Sequence, residues 1–417
     1  MGISKNLRFT ASSQVISFFF LLGFSVLIAR LLGPEGQGQF TLWILIPTLL
    51  ARFGHLGFDA SFAYYAEDER FKYGVVFSIW FFLVLSFLFL CMICIVFYNS
   101  NLHEFPKTHT PNFIINTLAL LATLFMSRTL LMSLLVGQNK IRLHSGLSIL
   151  EAVFPLVMLL GLMLFFDLSA EIVFLVMLVT MTLVNAILIL ECCSVLLLPK
   201  RGLTYIAFKY GVKSWTNNIL NQLIYRSDLL MVAYFLGVIE VGLYSIALLL
   251  VEKSWFFTTA ISNALFPILR ARDDDDQMLT ARLVRVSVFF TLLVSIFLAL
   301  TGKVLIPFIF GDDFSKSWVP LLWLIPGVIA LTIPKILVTQ FAAMNKMVFT
   351  IYSSGPALAV NVLLNFLLIP EFGLKGAAIA TSISYVMYSV LNVYFFTRLT
   401  NVQPKLLLLV QKQDWID

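Results

Sequence analysis

Charged side chains are scarce. Lysine, arginine, aspartate and glutamate make up 12% of the 417 residues, about half the share that a soluble globular protein carries. That scarcity excludes a large water-facing surface and leaves little room for a soluble domain. Cysteine is rare too: Cys91, Cys94, Cys192 and Cys193 all lie inside apolar runs. Cys91 and Cys94 have redox-motif spacing, yet in a membrane helix small packing residues are the simpler reading. With four histidines in the chain, no Ser/His/Asp set, zinc spacing or glycine-rich phosphate loop can be assembled. The expectation is a protein that is not an enzyme and needs no cofactor and no metal. A cleavable signal peptide is not expected, because the apolar run after Lys5 and Arg8 is too long and lacks a small-x-small end.

Hydrophobic residues, in contrast, make up 60% of the chain, and the mean hydropathy is +0.95. Apolar runs of about 20 residues, each able to cross about 30 Å of hydrocarbon, recur along the whole length. The pattern predicts an all-α polytopic membrane protein with about twelve transmembrane helices, at 9–31, 39–63, 74–98, 113–136, 146–166, 172–198, 214–236, 242–268, 284–304, 318–341, 348–369 and 373–397. If the N-terminus is inside, most of the 28 lysines and arginines fall in cytoplasmic loops and tails. That bias predicts cytoplasmic termini. It also accounts for the net charge of +6 without nucleic acid.

One stretch organises the rest. Ser214–Gly242 is an apolar span that holds Asn217, Asn218, Asn221, Gln222, Arg226 and Asp228. A charge at mid-depth costs about 2.5–3.5 kcal/mol on insertion scales, so Arg226 should face the bundle interior. At helical spacing Asn217, Asn221 and Asp228 share one face, with Gln222 and Arg226 on its flank.

The chain also repeats itself. Leu32-Gly33-Pro34-Glu35-Gly36 follows the first helix as Leu236-Gly237-Val238-Ile239-Glu240 follows the seventh. Asn139-Lys140 and Asn345-Lys346 follow helices four and ten at nearly the same offset. The expected plan is two six-helix parallel repeats around a central cleft: 1–198, a cytoplasmic connector at 199–213, and 214–417 with a short cytoplasmic tail.

Ala29–Ile44 (ARLLGPEGQGQFTLWI), Phe53–Glu69 (FGHLGFDASFAYYAEDE), Tyr225–Ala247 and Phe372–Val386 resemble the bacterial polysaccharide-biosynthesis membrane proteins. These are the O-antigen and capsule repeat-unit flippases of the multidrug/oligosaccharidyl-lipid/polysaccharide superfamily. The resemblance covers essentially the whole chain. Two departures set it apart from neighbouring branches: lipid II flippases usually have fourteen helices, and drug antiporters usually carry an acid in helix one, where Phe9–Leu31 has none.

The resemblance implies a flippase that moves an undecaprenyl-diphosphate-linked oligosaccharide across the cytoplasmic (inner) membrane by alternating access. It implies the bilayer and polysaccharide polymerase or export machinery as partners, and no nucleic acid. Arg226, Arg128, Lys335 and Lys253 are the candidate diphosphate contacts; pairing with buried acids is the alternative, with Asp228 the acid nearest Arg226 in sequence. Asn217, Asn221 and Gln222 could bond sugar hydroxyls, as could Asn361 and Asn365, and Tyr225 could stack on a sugar; interhelical hydrogen bonding is the alternative. Asp228, Glu252 and Asp59 are the ion-coupling candidates, Asp59 as part of the Arg52/His55/Asp59 face of helix two. Asp273–Asp276 reads as a solvated loop rather than a metal site. The competing functions are a multidrug or cation antiporter and a membrane-bound polymerase of lipid-linked sugars.

Overall fold

The computed structural model describes residues 2–66, 68, 75–101, 112–192, 201–271 and 277–408. Among the described residues there are helices and no strand. In order they are α1 (Gly2–Gly54), α2 (Phe58–Tyr65), α3 (Val75–Asn101), α4 (Asn112–Gly137), α5 (Ile141–Leu162), α6 (Ala170–Cys192), α7 (Arg201–Phe235), α8 (Val238–Lys253), α9 (Phe256–Ala271), α10 (Gln277–Phe310), a 3-10 turn (Asp312–Ser317), α11 (Trp318–Ala343), α12 (Val348–Thr400) and α13 (Pro404–Leu408). Each of the twelve expected stretches is helical over most of its described length. Among the described residues, seven helices are long and apolar enough to cross a membrane. The protein is an all-α polytopic membrane protein.

Two helices are too long for one crossing. α1 and α12 each have 53 residues, about 80 Å of helix if straight. Each is in fact two segments folded back at a glycine. Gly33 has φ +63° and ψ −173°, a backbone region essentially closed to other residues. Pro34 then opens the next segment at no hydrogen-bond cost, because a first-turn N–H has no partner anyway. The Phe24 and Phe40 rings, 6.0 Å apart, show the two segments side by side. In α12 the reversal is at Gly373, and the Ser384 hydroxyl donates to the Ala357 carbonyl at 2.8 Å across the hairpin.

The repeat noticed in the sequence has a backbone counterpart. Gly237, between α7 and α8, has φ +92° and ψ −175°, the conformation of Gly33. Asn139 and Asn345 both have φ +56°. After each, the next N–H reaches back to a helix carbonyl: Lys140 to Leu135 at 2.9 Å and Lys346 to Phe341 at 2.7 Å. These are matching left-handed helix caps, which asparagine tolerates better than most residues.

The chain divides into two compact units, Met1–Ile219 and Leu220–Asp417, with the boundary inside α7. The connector expected over 199–213 is therefore, from Arg201 on, the first turns of a continuous helix. Two expected helices are interrupted: helix two at residues 55–57 and helix eight at Ser254–Trp255. α5 and α11, by contrast, run unbroken through Pro155, Pro326 and Pro334. Within the first unit, apolar packing joins Phe58, Phe62, Trp80, Met126, Leu130 and Leu188. The second unit packs Ile336, Leu337 and Phe341 against Phe396. Large apolar side chains such as Phe89, Leu190 and Leu300 point outward, as lipid-facing residues should.

The break in helix two is held by a glycine contact. Leu56 and Gly57 have φ +49° and +81°. A Cβ on Gly211 of α7 would lie 2.0 Å from the Gly57 carbonyl oxygen. Gly211→Ala should therefore cost about 1–3 kcal/mol by overpacking. A lower unfolding temperature and less membrane-inserted protein are expected, while Gly202→Ala, with open space around it, should match the wild type. An unshifted Gly211→Ala protein would show that the contact is slack.

Candidate functional site

Polar residues of α7 sort into two settings. Arg226 is paired with Glu252 at the end of α8: Nη1 lies 2.9 Å from Oε1 and Nη2 donates to Oε2 at 3.1 Å. Asp228, the acid nearest in sequence and the alternative partner, does not pair with it. Residues two apart on a helix point to different sides, whereas the hairpin at Gly237 brings Glu252 alongside. Both members of the pair stay about a quarter exposed, at 28% and 26%.

Asp228 is at 0% exposure. Its carboxylate accepts from the Leu229 N–H at 2.8 Å, the Tyr244 hydroxyl at 2.9 Å and the Thr381 hydroxyl at 3.0 Å. Around it, Ser227 donates to Asn361 Oδ1 at 2.9 Å, and Asn365 Nδ2 donates to the same oxygen at 3.0 Å. Asn361 Nδ2 reaches Thr381 Oγ1 at 3.5 Å. Asn361 and Asn365 are thus taken up in the shell around Asp228. The arrangement is a buried carboxylate among neutral oxygens, with no cation within ion-pair distance among the described residues. Its bare charge is costly to bury, and the three donors offset part of that cost.

Lys335, in α11, has a different neighbourhood. Its ammonium lies 4.3 Å from the Trp255 ring centre and 5.2 Å from that of Tyr225. Tyr385 closes the group, 5.9 Å from Tyr225 and 6.4 Å from Trp255. No carboxylate of the described residues pairs with Lys335. A cation over ring faces is stabilised by about 0.5–2 kcal/mol yet keeps its charge available. Trp255 is fixed in turn by donating Nε1–H to the Val328 carbonyl at 3.0 Å. Lys253 lies beside Glu252, half-buried in the last turn of α8.

In the first unit, Arg128 and Glu151 form a two-pronged pair between α4 and α5. Arg128 is therefore matched by an acid from its own hairpin. His55, buried beside the helix-two break, has Nδ1 3.3 Å from Asp59 and accepts the Gly57 N–H at 3.2 Å. Asn217 is buried and belongs to this unit. Asn221 and Gln222 lie half-buried in the second.

The profile of the family described as polysaccharide biosynthesis protein matches residues 27–319, more than half of the chain. The chain belongs to that family. A second profile, that of the lipid II flippase MurJ, matches residues 231–416. Among curated relatives, the probable low-salt glycan biosynthesis flippase Agl15 of Haloferax volcanii is 22% identical over 47% of this chain and 43% of its own length. The capsular polysaccharide biosynthesis protein CapF of Staphylococcus aureus is 25% identical over 39% of this chain and 42% of its own. These alignments span less than half of either relative. In fold, the chain is similar to an inward-facing multidrug resistance MATE family transporter, with a TM-score of 0.70 and 12% identity over 94% of this chain and 97% of that one. For the Vibrio cholerae MATE transporter VcmN in its bent form the score is 0.65, at 14% identity over 97% and 98%.

This family member carries functional candidates that its sequence did not advertise. Trp255, Tyr385, Tyr244 and Thr381 read as ordinary residues of apolar runs. Asp273–Asp276 lie outside the described residues.

Proposed function

We propose that the protein is a flippase that carries a polyprenyl-diphosphate-linked oligosaccharide from the inner to the outer leaflet of the cytoplasmic membrane by alternating access. The observation that carries this reading is Lys335, a cation with ring faces for neighbours and no paired carboxylate. With Arg226 against the single Glu252, the constellation is positive on balance. Diphosphate suits it, since guanidinium and ammonium groups replace the water that phosphate loses. Tyr225 and Trp255 offer faces on which a sugar can stack. The family profile and the flippase relatives support the same substrate class. Asp228 is the ion-coupling group, and the rest of the machinery consists of binding and positioning residues rather than catalytic ones. A polymerase or exporter takes the product on the outer side, and both termini lie in the cytoplasm.

A multidrug antiporter would have to admit cations past Arg226 and Lys335, which like charges oppose. The test is complementation. Deletion of the gene should remove surface glycan and leave lipid-linked oligosaccharide inside, and the plasmid-borne gene should restore export without raising resistance to cationic drugs. Drug resistance without glycan export would overturn the reading.

A further inference from the structure

Arg226 is already occupied, and its occupant has the chemistry of a stand-in. We propose that Glu252 is a displaceable counter-ion: an incoming phosphate group takes its place on Arg226, and its return drives the group off. The inference rests on the reading of the site given above.

Four observations carry it. Glu252 meets the guanidinium with two parallel contacts, 2.9 and 3.1 Å, the same fork that a phosphate uses. The pair is reachable, whereas Asp228 is sealed. Glu252 also sits beside a short turn between two helices. It is in the last turn of α8, and the two residues after that helix, Ser254 and Trp255, form the turn before α9. There the Trp255 N–H turns back to the Glu252 carbonyl at 3.2 Å. Finally, Asp228 makes no hydrogen bond to Arg226; its donors are Leu229, Tyr244 and Thr381. Arg226 can therefore change partner without stranding a second acid.

A resident carboxylate also solves a problem of affinity. Arg226 and Lys335 together would hold a diphosphate too long for turnover. Competition from Glu252 weakens binding and speeds release.

The test uses the full-length protein in detergent and inorganic pyrophosphate as the probe, with binding measured by calorimetry. Glu252→Gln keeps the shape and removes the charge. It should bind pyrophosphate about tenfold more tightly, as expected when a charge-assisted contact is no longer contested. Glycan export should fall at the same time, because release slows. Adding Arg226→Ala to that variant should abolish the gain. A polyprenyl diphosphate in the same micelles should compete with the probe if the natural group is lipid-borne. Glu252→Asp, which keeps the charge but falls short of the fork, should tighten binding partially and serves if the Gln variant does not accumulate. Equal or weaker pyrophosphate binding in folded variants overturns the displacement role alone. Failure of every variant and the wild type to bind overturns the reading of the site itself.

Discussion

Lys335→Ala should abolish export of surface glycan while the protein still accumulates in the membrane. Loss of a charge-assisted contact to phosphate amounts to about 1.5–3 kcal/mol, roughly a tenfold to hundredfold loss in affinity. The folding cost is smaller, because what the fold loses is the cation–π contact with Trp255 and Tyr225, about 0.5–2 kcal/mol. Lys335→Arg should retain part of the activity: the charge stays and the planar group stacks well on an indole, but the reach and point geometry change. Export and membrane protein level, measured together for both variants, separate the two costs. Normal export by the Ala variant would remove Lys335 from the site.

Asp228 should give the second large effect, and its variants should divide. Asp228→Asn keeps the shape, and the Tyr244 and Thr381 hydroxyls can rotate to bond an amide. Folding should be nearly preserved, but gradient-driven transport should be lost with the charge. Asp228→Ala leaves the Tyr244 and Thr381 hydroxyls and the Leu229 N–H without their acceptor in a sealed site. That should cost about 3 kcal/mol or more in stability. Unfolding temperature separates the two variants, and export measured with and without an ion gradient shows what the charge does. If the Asn variant exports normally, Asp228 is only structural.

Much of the fold was legible because bilayer physics is repetitive. Every crossing needs a long apolar run, and four of the reversals among the described residues left a Gly or Asn that repeats between the halves of the sequence, at Gly33, Gly237, Asn139 and Asn345. Less visible were the breaks. Residues 55–57 and Ser254–Trp255 interrupt apolar runs beside the charges Arg52, Asp59, Glu252 and Lys253, which read as polar faces of continuous helices rather than as breaks. Arg201–Lys213 read as a connector because it is polar, yet it continues into α7 as helix.

The candidate site was half legible. Arg226 and Asp228 stood out as charges in an apolar span, and charge is what composition detects. Their partners depend on hairpin geometry, so Glu252 and not Asp228 meets Arg226. The aromatic faces around Lys335 could not be read at all. Tyr225, Trp255 and Tyr385 come from α7, the turn between α8 and α9, and α12, and an aromatic ring in an apolar run carries no mark of what it will stand beside.

Translocation by the purified protein is the decisive property. The measurement is to reconstitute it in vesicles with a polyprenyl-diphosphate-linked oligosaccharide confined to one leaflet, and to follow exposure of the sugar to an external glycosidase. Wild-type vesicles should expose the sugar far faster than protein-free vesicles, and Lys335→Ala vesicles should fall back to the protein-free rate. Equal rates for the wild type and empty vesicles, or undiminished translocation by Lys335→Ala, would contradict the account.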